Sequence, residues 1–437
     1  MIKIKKGLDI PLKGAATDRT ERLEGCRLFA IVPDDFPGYT WKAVVKPGDR
    51  VTAGDPLLTA KEDSLLSLTS PVAGEVKEIH RGQRRHIEYV SVETTSGNPT
   101  ESREFKGGEY ITLLKQSGLY AMMRQRPFDI VPLGDSPRDI FVTAFDTAPL
   151  APAMDTPLVK EYLEAGLEVL ATMTTGKVYL SVAAGSGLTS RHAEVNEFDG
   201  PHPAGNVGVQ IASIRPVNKG ETVWTLTAET AARIGKLIRT GRADYSTRVA
   251  ITGSGVREPR MEETLIGASI DALLEGNLTE SADRLRIISG NVLTGNRVHP
   301  GGFLRAPYRQ VTVIPEGADA DEFMGWASLD PSKYSVKKTF PAFLRGLSKP
   351  FDFDARIKGG HRAMIMSGEY DKVFPFDIYP EYLIKAILGR DIEKMEQLGI
   401  YEVAPEDFAL PEFVDTSKLE LQKIVREGLD YLRKETL

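Results

Sequence analysis

The chain has 437 residues, of which 41% are hydrophobic, and its formal net charge at pH 7 is −6. A chain of this length folds into several domains, and its acidic balance gives no electrostatic footprint for nucleic acid. The single cysteine, Cys26, excludes an internal disulfide, a structural zinc site and a cysteine-ligated iron–sulfur cluster. No run approaches the roughly 18 apolar residues of a membrane span, and the N-terminus lacks the apolar core of a signal peptide, so we expect a cytoplasmic chain.

Residues 1–103 alternate short strands and turns and predict a β domain. The segment 44–79 resembles the lipoyl/biotinyl-like β-sandwich hybrids that carry biotin or lipoate on a lysine at the tip of a hairpin. Asp63 occupies the outermost place here, and Lys61 lies two residues away, which moves its side chain off the tip. We therefore expect a structural or docking module without a covalently attached cofactor.

Helical and strand-like segments alternate over residues 104–255 and predict a parallel, Rossmann-like α/β domain. The clearest helix follows Thr156 as N-cap and Pro157 as first helical residue, with Gly176 as the stop signal. These signals make that segment the best-defined element of the predicted domain.

A half-formed glycine motif lies in the same domain. Gly185 and Gly187 follow a strand and precede a possible helix, but Ser190 stands where the dinucleotide motif G-x-G-x-x-G has its third glycine. A tight turn explains the two glycines more simply than a nucleotide or flavin site.

The last two regions are a compact β module and a helical end. Residues 256–331 mix one helix with several strands and predict a β-grasp-like module of the SLBB type, and residues 332–437 predict a helical domain. The final helix is expected to begin at Ser417, with Glu420 completing a capping box. Its apolar stripe fits helix packing or a partner face and consists of Leu421, Ile424, Val425, Leu429 and Leu432.

Two loops, at 31–41 and 122–132, combine aromatic rings, thioethers and guanidinium groups. Such residues suit a planar apolar ring that bears carbonyl oxygens, because the rings stack and arginine donates hydrogen bonds. Ordinary packing is the alternative explanation. The candidate residues are Phe36, Tyr39, Met123, Arg124, Arg126, Pro127 and Phe128.

Groups for independent catalysis are scarce in the sequence. The histidines lack the spacing of a metal site, and no G-x-S-x-G elbow occurs. We therefore expect no metal and no catalytic residue in this chain.

The chain resembles the NqrA family, the A subunits of the Na+-translocating NADH:quinone reductase, in segments that run in order from Met1 to the C-terminus. They include "MIKIKKGLDIPLKGA", "SPVAGEV", "RQRPFD", "IFVTAFDTAPLAP", "FDGPHPAG", "ISGNVLTGN" and "LGIYEVAPEDFAL". The resemblance implies a peripheral subunit on the cytoplasmic side of the bacterial inner membrane, whose chief partner is the membrane B subunit. It also implies that NADH, flavins and the iron–sulfur cluster bind to partner subunits, and that ubiquinone is the substrate.

The resemblance further implies a scaffold related to the NADH-binding subunit of respiratory complex I, without that subunit's flavin and cluster. Related chains carry thiols near the C-terminus where Pro411 and Asp415 stand here, which agrees with the cysteine count. The two loops become quinone-site candidates, and His202 of "FDGPHPAG" joins them as a donor to a quinone carbonyl or as the anchor of a proline-rich loop. Under this resemblance, proximity sets the rate, and no general acid need be obvious in the sequence.

Two other functions compete with this hypothesis. In the first, the chain has a purely structural docking role, while the membrane partner holds the quinone. In the second, it is an independent NADH- or flavin-binding oxidoreductase, which the incomplete glycine motif disfavours.

Overall fold

The computed structural model describes residues 1–17, 19–94, 101–134, 136–317, 328–337, 339–342 and 349–436. Within these residues the chain forms two six-stranded sheets, a sandwich of a four-stranded and a three-stranded sheet, and a helical C-terminal region. The general prediction of a multidomain α/β chain that ends in helices is confirmed. None of the described helices is long and apolar enough to cross a membrane.

The N-terminal part forms the sandwich and lends one strand to each large sheet. Its strands are β1 (Ile2–Lys3), β2 (Thr20–Arg22), β3 (Leu28–Ile31), β4 (Trp41–Ala43), β5 (Arg50–Val51), β6 (Pro56–Ala60), β7 (Ser67–Thr69), β8 (Gly74–Arg81) and β9 (Ile87–Glu93). The sandwich sheets have the orders β3-β9-β8-β5 and β4-β6-β7. Asp63 lies at the turn between β6 and β7, as predicted, and its carboxylate pairs with Lys115 at 3.0 Å. Lys61 is exposed beside it.

The next region builds a mainly parallel sheet flanked by helices. Its elements are α1 (Tyr110–Gln116), β10 (Arg124–Arg126), β11 (Asp139–Thr143), α2 (Pro157–Thr172), β12 (Val178–Ala183), β13 (Glu194–Asp199), α3 (Val207–Ile214), β14 (Val223–Thr227) and α4 (Ala228–Thr240). The strand order is β1-β13-β12-β11-β14-β10, and only β10 runs antiparallel to its neighbour. Strand β11 is buried along its whole length, as a central parallel strand covered on both faces should be.

Helices α2 and α4 pack against each other at glycine positions. The predicted cap of α2 is confirmed, because the Thr156 side chain accepts a hydrogen bond from Val159 N at 3.3 Å. The helix ends at Thr172, four residues before the predicted stop. A Cβ built on Gly166 would lie 1.8 Å from the carbonyl oxygen of Ala231, so the two helix backbones are in direct contact.

The second six-stranded sheet consists of β2 and five later strands: β15 (Ser246–Thr252), β16 (Arg260–Leu265), β17 (Leu285–Ser289), β18 (Asn296–Val298) and β19 (Gln310–Pro315). Helix α5 (Ile270–Leu274) packs beside the strands. Its order is β18-β17-β19-β15-β16-β2. Strand β15 therefore belongs with the later strands. The predicted domain boundary at residue 255 lies after β15 and would place this strand in the preceding domain. Hydrophobic periodicity identifies a strand but does not identify its hydrogen-bonding partners.

The C-terminal region consists of α6 (Pro380–Leu388), α7 (Ile392–Gln397), α8 (Ala409–Val414) and α9 (Leu421–Thr436). The prediction that the last helix begins at Ser417 is wrong, because the Ser417 hydroxyl donates to the carbonyl oxygen of Ala363 and the helix begins at Leu421. This bond reaches 54 residues back along the chain and engages the hydroxyl that a capping box would need. The apolar stripe of α9 packs into the core of this region, with Ile424 only partly buried.

The contact between α2 and α4 makes a testable prediction. Substitution Gly166→Ala adds intrinsic helix stability of roughly 0.5–1 kcal/mol, but the steric conflict with Ala231 costs about 1–3 kcal/mol. We expect a lower Tm by circular dichroism. Gly360→Ala is the control, because a Cβ there would meet no atom within 4 Å. An unchanged or higher Tm for Gly166→Ala would show that the helices are not in contact there.

Candidate functional site

A cavity of about 460 Å³ lies at the carboxyl ends of the parallel strands. Thr143 ends β11 and Thr227 ends β14, and both residues line the cavity. From β11 the sheet extends through β12 and β13 on one side and through β14 on the other, so this is its topological switch point. Open α/β sheets bind their ligands at this place, and pockets for small molecules commonly span about 300–1,000 Å³.

The remaining walls come from all the other regions of the chain. The sandwich supplies Asp34, Asp35 and Pro37, the second sheet supplies Arg305 to Gln310, and the C-terminal region supplies Pro405, Glu406 and Gln422. The cavity therefore exists only when the four regions are assembled.

Three of the eight predicted site residues line this cavity: Arg124, Arg126 and His202. Phe36 lines a neighbouring cavity of about 20 Å³, which shares Met122, Arg124 and Tyr308 with the large one. The structure thus brings together the arginines of one predicted loop and the histidine of a distant segment.

The other four predicted residues do not line either cavity. The Tyr39 hydroxyl donates to the carbonyl oxygen of Pro132 at 2.7 Å, and Met123 is fully buried in the main core. Pro127 is buried, and Phe128 packs into the core around the C-terminal helices. Their side chains hold the loop in place, while Met122, one residue before Met123, faces the cavity.

Arg124 presents a positive charge to the cavity without an ion pair to any described carboxylate. Its guanidinium donates to the carbonyl oxygens of Ala121 at 2.9 Å, Met123 at 3.0 Å and Asp35 at 2.5 Å. Burial lowers the pKa of Arg124, which nearby Asp129 and Asp35 oppose. The backbone contacts fix the guanidinium but leave its charge available to a ligand oxygen.

Arg305 and Arg309, by contrast, are already paired with carboxylates. Arg305 Nε donates to Asp35 Oδ1 at 2.6 Å, and this bond joins the second sheet to the sandwich. Burial raises the pKa of Asp35 to about 6, against the effect of Arg305. Arg309 Nε lies 3.2 Å from Glu229 Oε2, near the start of α4.

His202 is 3% exposed and is held from two sides. Its backbone N–H donates to Asp9 at 2.9 Å, and its Nδ1 lies 3.1 Å from the Thr147 hydroxyl oxygen. Its Nε2 has no hydrogen-bond partner among the described residues, although the residue lines the cavity. Burial lowers the pKa of His202 to about 4, so the ring is neutral at pH 7.

Arg126 is buried at the centre of a cluster of carboxylates. Its nitrogens lie 2.6 Å from Glu406, 3.3 Å from Asp407 and 3.8 Å from Asp129. These contacts join β10 to the segment that precedes α8. Burial is the main cause of the raised pKa values of Glu406 and Asp407, and the neighbouring carboxylates raise them further. The positive charge of Arg126 acts in the opposite direction and lowers both pKa values.

Asp35, Arg305, Arg309 and Glu406 line the cavity but were not among the predicted site residues. Their signals in the sequence are weak, since charged residues in loops are usually solvated. Among the described residues, no three His, Cys, Asp or Glu side chains are placed to hold a metal ion.

The glycine motif does not form a phosphate-binding turn before a helix. Gly185 and Gly187 adopt φ angles of 76° and 70° in an exposed turn, and the next element is strand β13. The possible helix after this turn does not form, and a tight turn accounts for both glycines.

Comparison with known families and proteins gives matches along the whole chain. Residues 108–243 match the family described as the NqrA second alpha/beta domain, and residues 2–95 match the NqrA N-terminal barrel-sandwich hybrid domain. Residues 248–299 match the NQRA C-terminal domain, of the SLBB type. The chain is 37% identical over 454 residues to the A subunit of the Na(+)-translocating NADH-quinone reductase of Serratia proteamaculans (strain 568), with 100% of both chains covered.

A second relative is the same subunit of Rhodopirellula baltica, 36% identical over 450 residues, which cover 99% of this chain and 98% of the relative. The chain belongs to the NqrA family. It is a subunit of the Na+-translocating NADH-quinone reductase, an oxidoreductase complex that transports sodium, as the sequence motifs predicted. The end of one family match at 243 and the start of the next at 248 agree with the placement of β15 in the second sheet.

The buried His202 predicts a specific dependence of stability on pH. The unfolded chain takes up a proton at an ordinary histidine pKa near 6.5, whereas folded His202 takes it up only near pH 4. The free energy of unfolding therefore falls as the pH drops through this window, by about 3 kcal/mol in total. His202→Gln should lose this contribution, so its Tm should fall less than that of the wild type between pH 7 and pH 5. Exposed His299→Gln is the control, and equal Tm losses in all three proteins would contradict a buried neutral ring.

Removal of the Arg126 guanidinium should destabilise the fold strongly. In Arg126→Met the carboxylates of Glu406 and Asp407 lose their buried cation, at a cost of about 3–5 kcal/mol. Because these carboxyl groups have raised pKa values and are neutralised by protons at low pH, the loss in Tm should be greater at pH 8 than at pH 5. The control Arg239→Met breaks an exposed pair with Glu168, which is worth at most about 1 kcal/mol. Equal, small Tm shifts for both variants would refute the bridging role.

Proposed function

We propose that this chain binds the ubiquinone headgroup in the cavity and thereby forms the quinone-reducing end of the complex. The observation that carries the proposal is a pair of polar groups in one cavity: the Arg124 guanidinium, whose charge is not paired with a described carboxylate, and His202 Nε2, which lacks a described partner. A quinone is a flat ring with two carbonyl oxygens. Its site therefore needs two hydrogen-bond donors, one for each oxygen, and apolar walls against which the ring can pack.

The apolar part of the lining suits a ring of this kind. Met122, Phe145, Leu226 and Tyr308 contribute thioether, aromatic and aliphatic surface to the cavity. Thioethers and aromatic rings pack well on flat ligands, and few polar groups are needed to fix their orientation. The cavity volume of about 460 Å³ leaves space for a substituted ring.

The two donors act differently when electrons arrive. Reduction places negative charge on the quinone oxygens, and the Arg124 guanidinium stabilises that charge. When the Thr147 hydroxyl donates to His202 Nδ1, the ring proton is on Nε2 and can form a hydrogen bond to the second carbonyl oxygen. Because burial keeps His202 neutral, only Arg124 of these two groups places a positive charge beside the ligand.

We propose that the chain holds no redox cofactor of its own and that NADH, flavins and the iron–sulfur cluster bind to partner subunits. Pro411 and Asp415, which stand where the resemblance implies thiols in related chains, support this. Pro411 is buried within α8, and the Asp415 carboxylate accepts the backbone N–H groups of Ser417 and Leu419. The exposed turn at Gly185 and Gly187 provides no start of a helix for a nucleotide phosphate.

The family membership supports a further proposal about location. As a subunit of this reductase, the chain is proposed to lie at the cytoplasmic face of the bacterial inner membrane and to dock on the membrane B subunit. Electrons would then reach the cavity from carriers in the assembled complex, and their transfer would depend on the distance at which the ring is held.

Ubiquinone-1 titration of the full chain tests the proposal. Trp224 lies two residues before cavity-lining Leu226 in β14 and on the same face of the strand, so its fluorescence should be quenched saturably by the bound quinone. Arg124→Gln removes a hydrogen bond from a charged donor, worth about 1.5–3 kcal/mol, and should raise Kd about tenfold or more. His202→Gln should raise Kd by a smaller factor, and Arg239→Gln, at an exposed position, should leave it unchanged.

The same titration can reject the proposal. If folded wild-type protein shows no saturable quenching and Arg124→Gln leaves the KM for ubiquinone unchanged in the assembled complex, the quinone is held by the partner. The chain would then have a structural docking role only.

A further inference from the structure

The carboxylates around Arg126 form one wall of the proposed quinone cavity. Glu406 and Asp129 line the cavity directly, and Asp407 lies behind them with 2% of its surface exposed. Asp407 Oδ2 accepts the Ala404 backbone N–H at 2.8 Å, but its Oδ1 has no hydrogen-bond partner among the described residues. A buried carboxyl oxygen without a donor is a place where a proton is stable.

The charges near Glu406 are unbalanced. Its close neighbours are Arg126, Asp407, Asp129 and Asp146, and Arg124 and Tyr308 face it from across the cavity. Arg309 faces Asp146 and offsets part of that charge. If all the carboxyl groups were ionised, four negative charges would lie here, on Glu406, Asp407, Asp129 and Asp146. The nearby positive charges of described residues are only three, on Arg124, Arg126 and Arg309, and Arg309 is already paired with Glu229.

We infer that the Glu406–Asp407 pair, anchored on Arg126, stores a proton and that Glu406 donates it to the quinone as the quinone is reduced. This inference rests on the proposed function of the cavity. Asp407 is enclosed, whereas the Glu406 side chain is 37% exposed and lines the cavity, so Glu406 is the member that reaches a ligand. The other two groups of the site, Arg124 and His202, position the ring.

The titration behaviour of the pair supports this role. Partial burial and the neighbouring carboxylates raise the pKa of Glu406 above that of an ordinary glutamate, against the effect of Arg126, and burial raises the pKa of the enclosed Asp407. Two coupled carboxyl groups share their protons, so the pair, and not one residue, holds a proton at pH 7. A donor with a pKa close to the working pH is the most effective general acid.

The step balances with reactants that the complex already uses. The quinone takes two electrons from carriers of the partner subunits and two protons, and becomes the quinol. One proton comes from Glu406, whose O–H bond breaks as the quinol O–H bond forms, and the other comes from solvent. The Glu406 carboxylate that remains, paired with Arg126, recovers its proton from solvent before the next turnover.

The test uses the assembled complex with Glu406→Gln in this chain. Glutamine keeps the shape and can accept from Arg126 but cannot release a proton at neutral pH. We expect kcat for ubiquinone-1 to fall roughly 10²-fold with an unchanged KM, while NADH oxidation by ferricyanide, which takes no proton, stays at the wild-type rate. Glu406→Asp should recover part of the lost kcat, and exposed Glu427→Gln should behave as the wild type.

The pH profile and the infrared spectrum provide independent readouts. Because the pKa of Glu406 is raised, wild-type kcat should fall as the pH rises and the pair loses its proton, and Glu406→Gln should lack this decline. The full chain at pH 7 should show the C=O stretch of a protonated carboxylic acid, which weakens in Glu406→Gln and in Asp407→Asn. A wild-type kcat and pH profile in Glu406→Gln would overturn the inference.

The quinone titration separates this failure from a failure of the proposed function. If Glu406→Gln binds ubiquinone-1 with the wild-type Kd and reduces it at the wild-type rate, only the proton donor is refuted. If the wild-type chain does not bind ubiquinone-1 and the complex with Arg124→Gln keeps its KM, the cavity itself is not the quinone site and both fail.

Discussion

The ion pairs of Arg126 with Glu406 and Asp407 hold the cavity together. They link β10, the edge strand of the mainly parallel sheet, to the C-terminal segment that forms another wall of the cavity. The guanidinium is buried, so its attraction to the carboxylates is little screened by water. A buried cation with more than one carboxylate is a compromise between bridging strength and charge repulsion. That repulsion favours a proton on one of the carboxyl groups beside the cavity. The contact that fixes the wall therefore also provides a proton for the proposed reaction.

The cavity owes its position to the topology of the parallel sheet, and its specific lining to the other regions. Strand ends at the switch point leave a crevice in any sheet of this kind. Here the crevice is deepened by the Asp35–Arg305 bond between the sandwich and the second sheet, and by the loop at 405–406. A nucleotide-binding sheet needs a glycine turn at a helix start, whereas this chain fills the space with guanidinium and carboxylate side chains.

The sequence predicted the elements whose signals are local. The N-cap of α2 and the turn at Asp63 depend on neighbouring residues, and each lies where it was expected. Pairings between distant residues were not predictable in this way. Neither the partner of β15 nor the Ser417–Ala363 bond has a signature in its own segment.

The candidate site was predicted in part for the same reason. Arg124 and Arg126 stood out as guanidinium groups in an aromatic loop, and His202 through its motif. Phe128 and Met123 have the same residue types as a ligand surface, but their burial depends on which helices pack over them. Glu406 is an ordinary loop glutamate in the sequence, and its pKa is raised only because the fold partly buries it beside Asp407 and Asp129.

The N-terminal strands β1 and β2 have a consequence for the order in which the chain can fold. Ile2 pairs with Phe198 in one sheet, and Thr20 pairs with Met261 in the other. During synthesis these two strands must therefore wait, unpaired, until strands far along the chain have left the ribosome. Contacts so distant in sequence slow folding and leave strand edges open in the meantime. The nascent chain is consequently most exposed to aggregation before Met261 emerges, and a chaperone that shields the N-terminal segment would act in that interval.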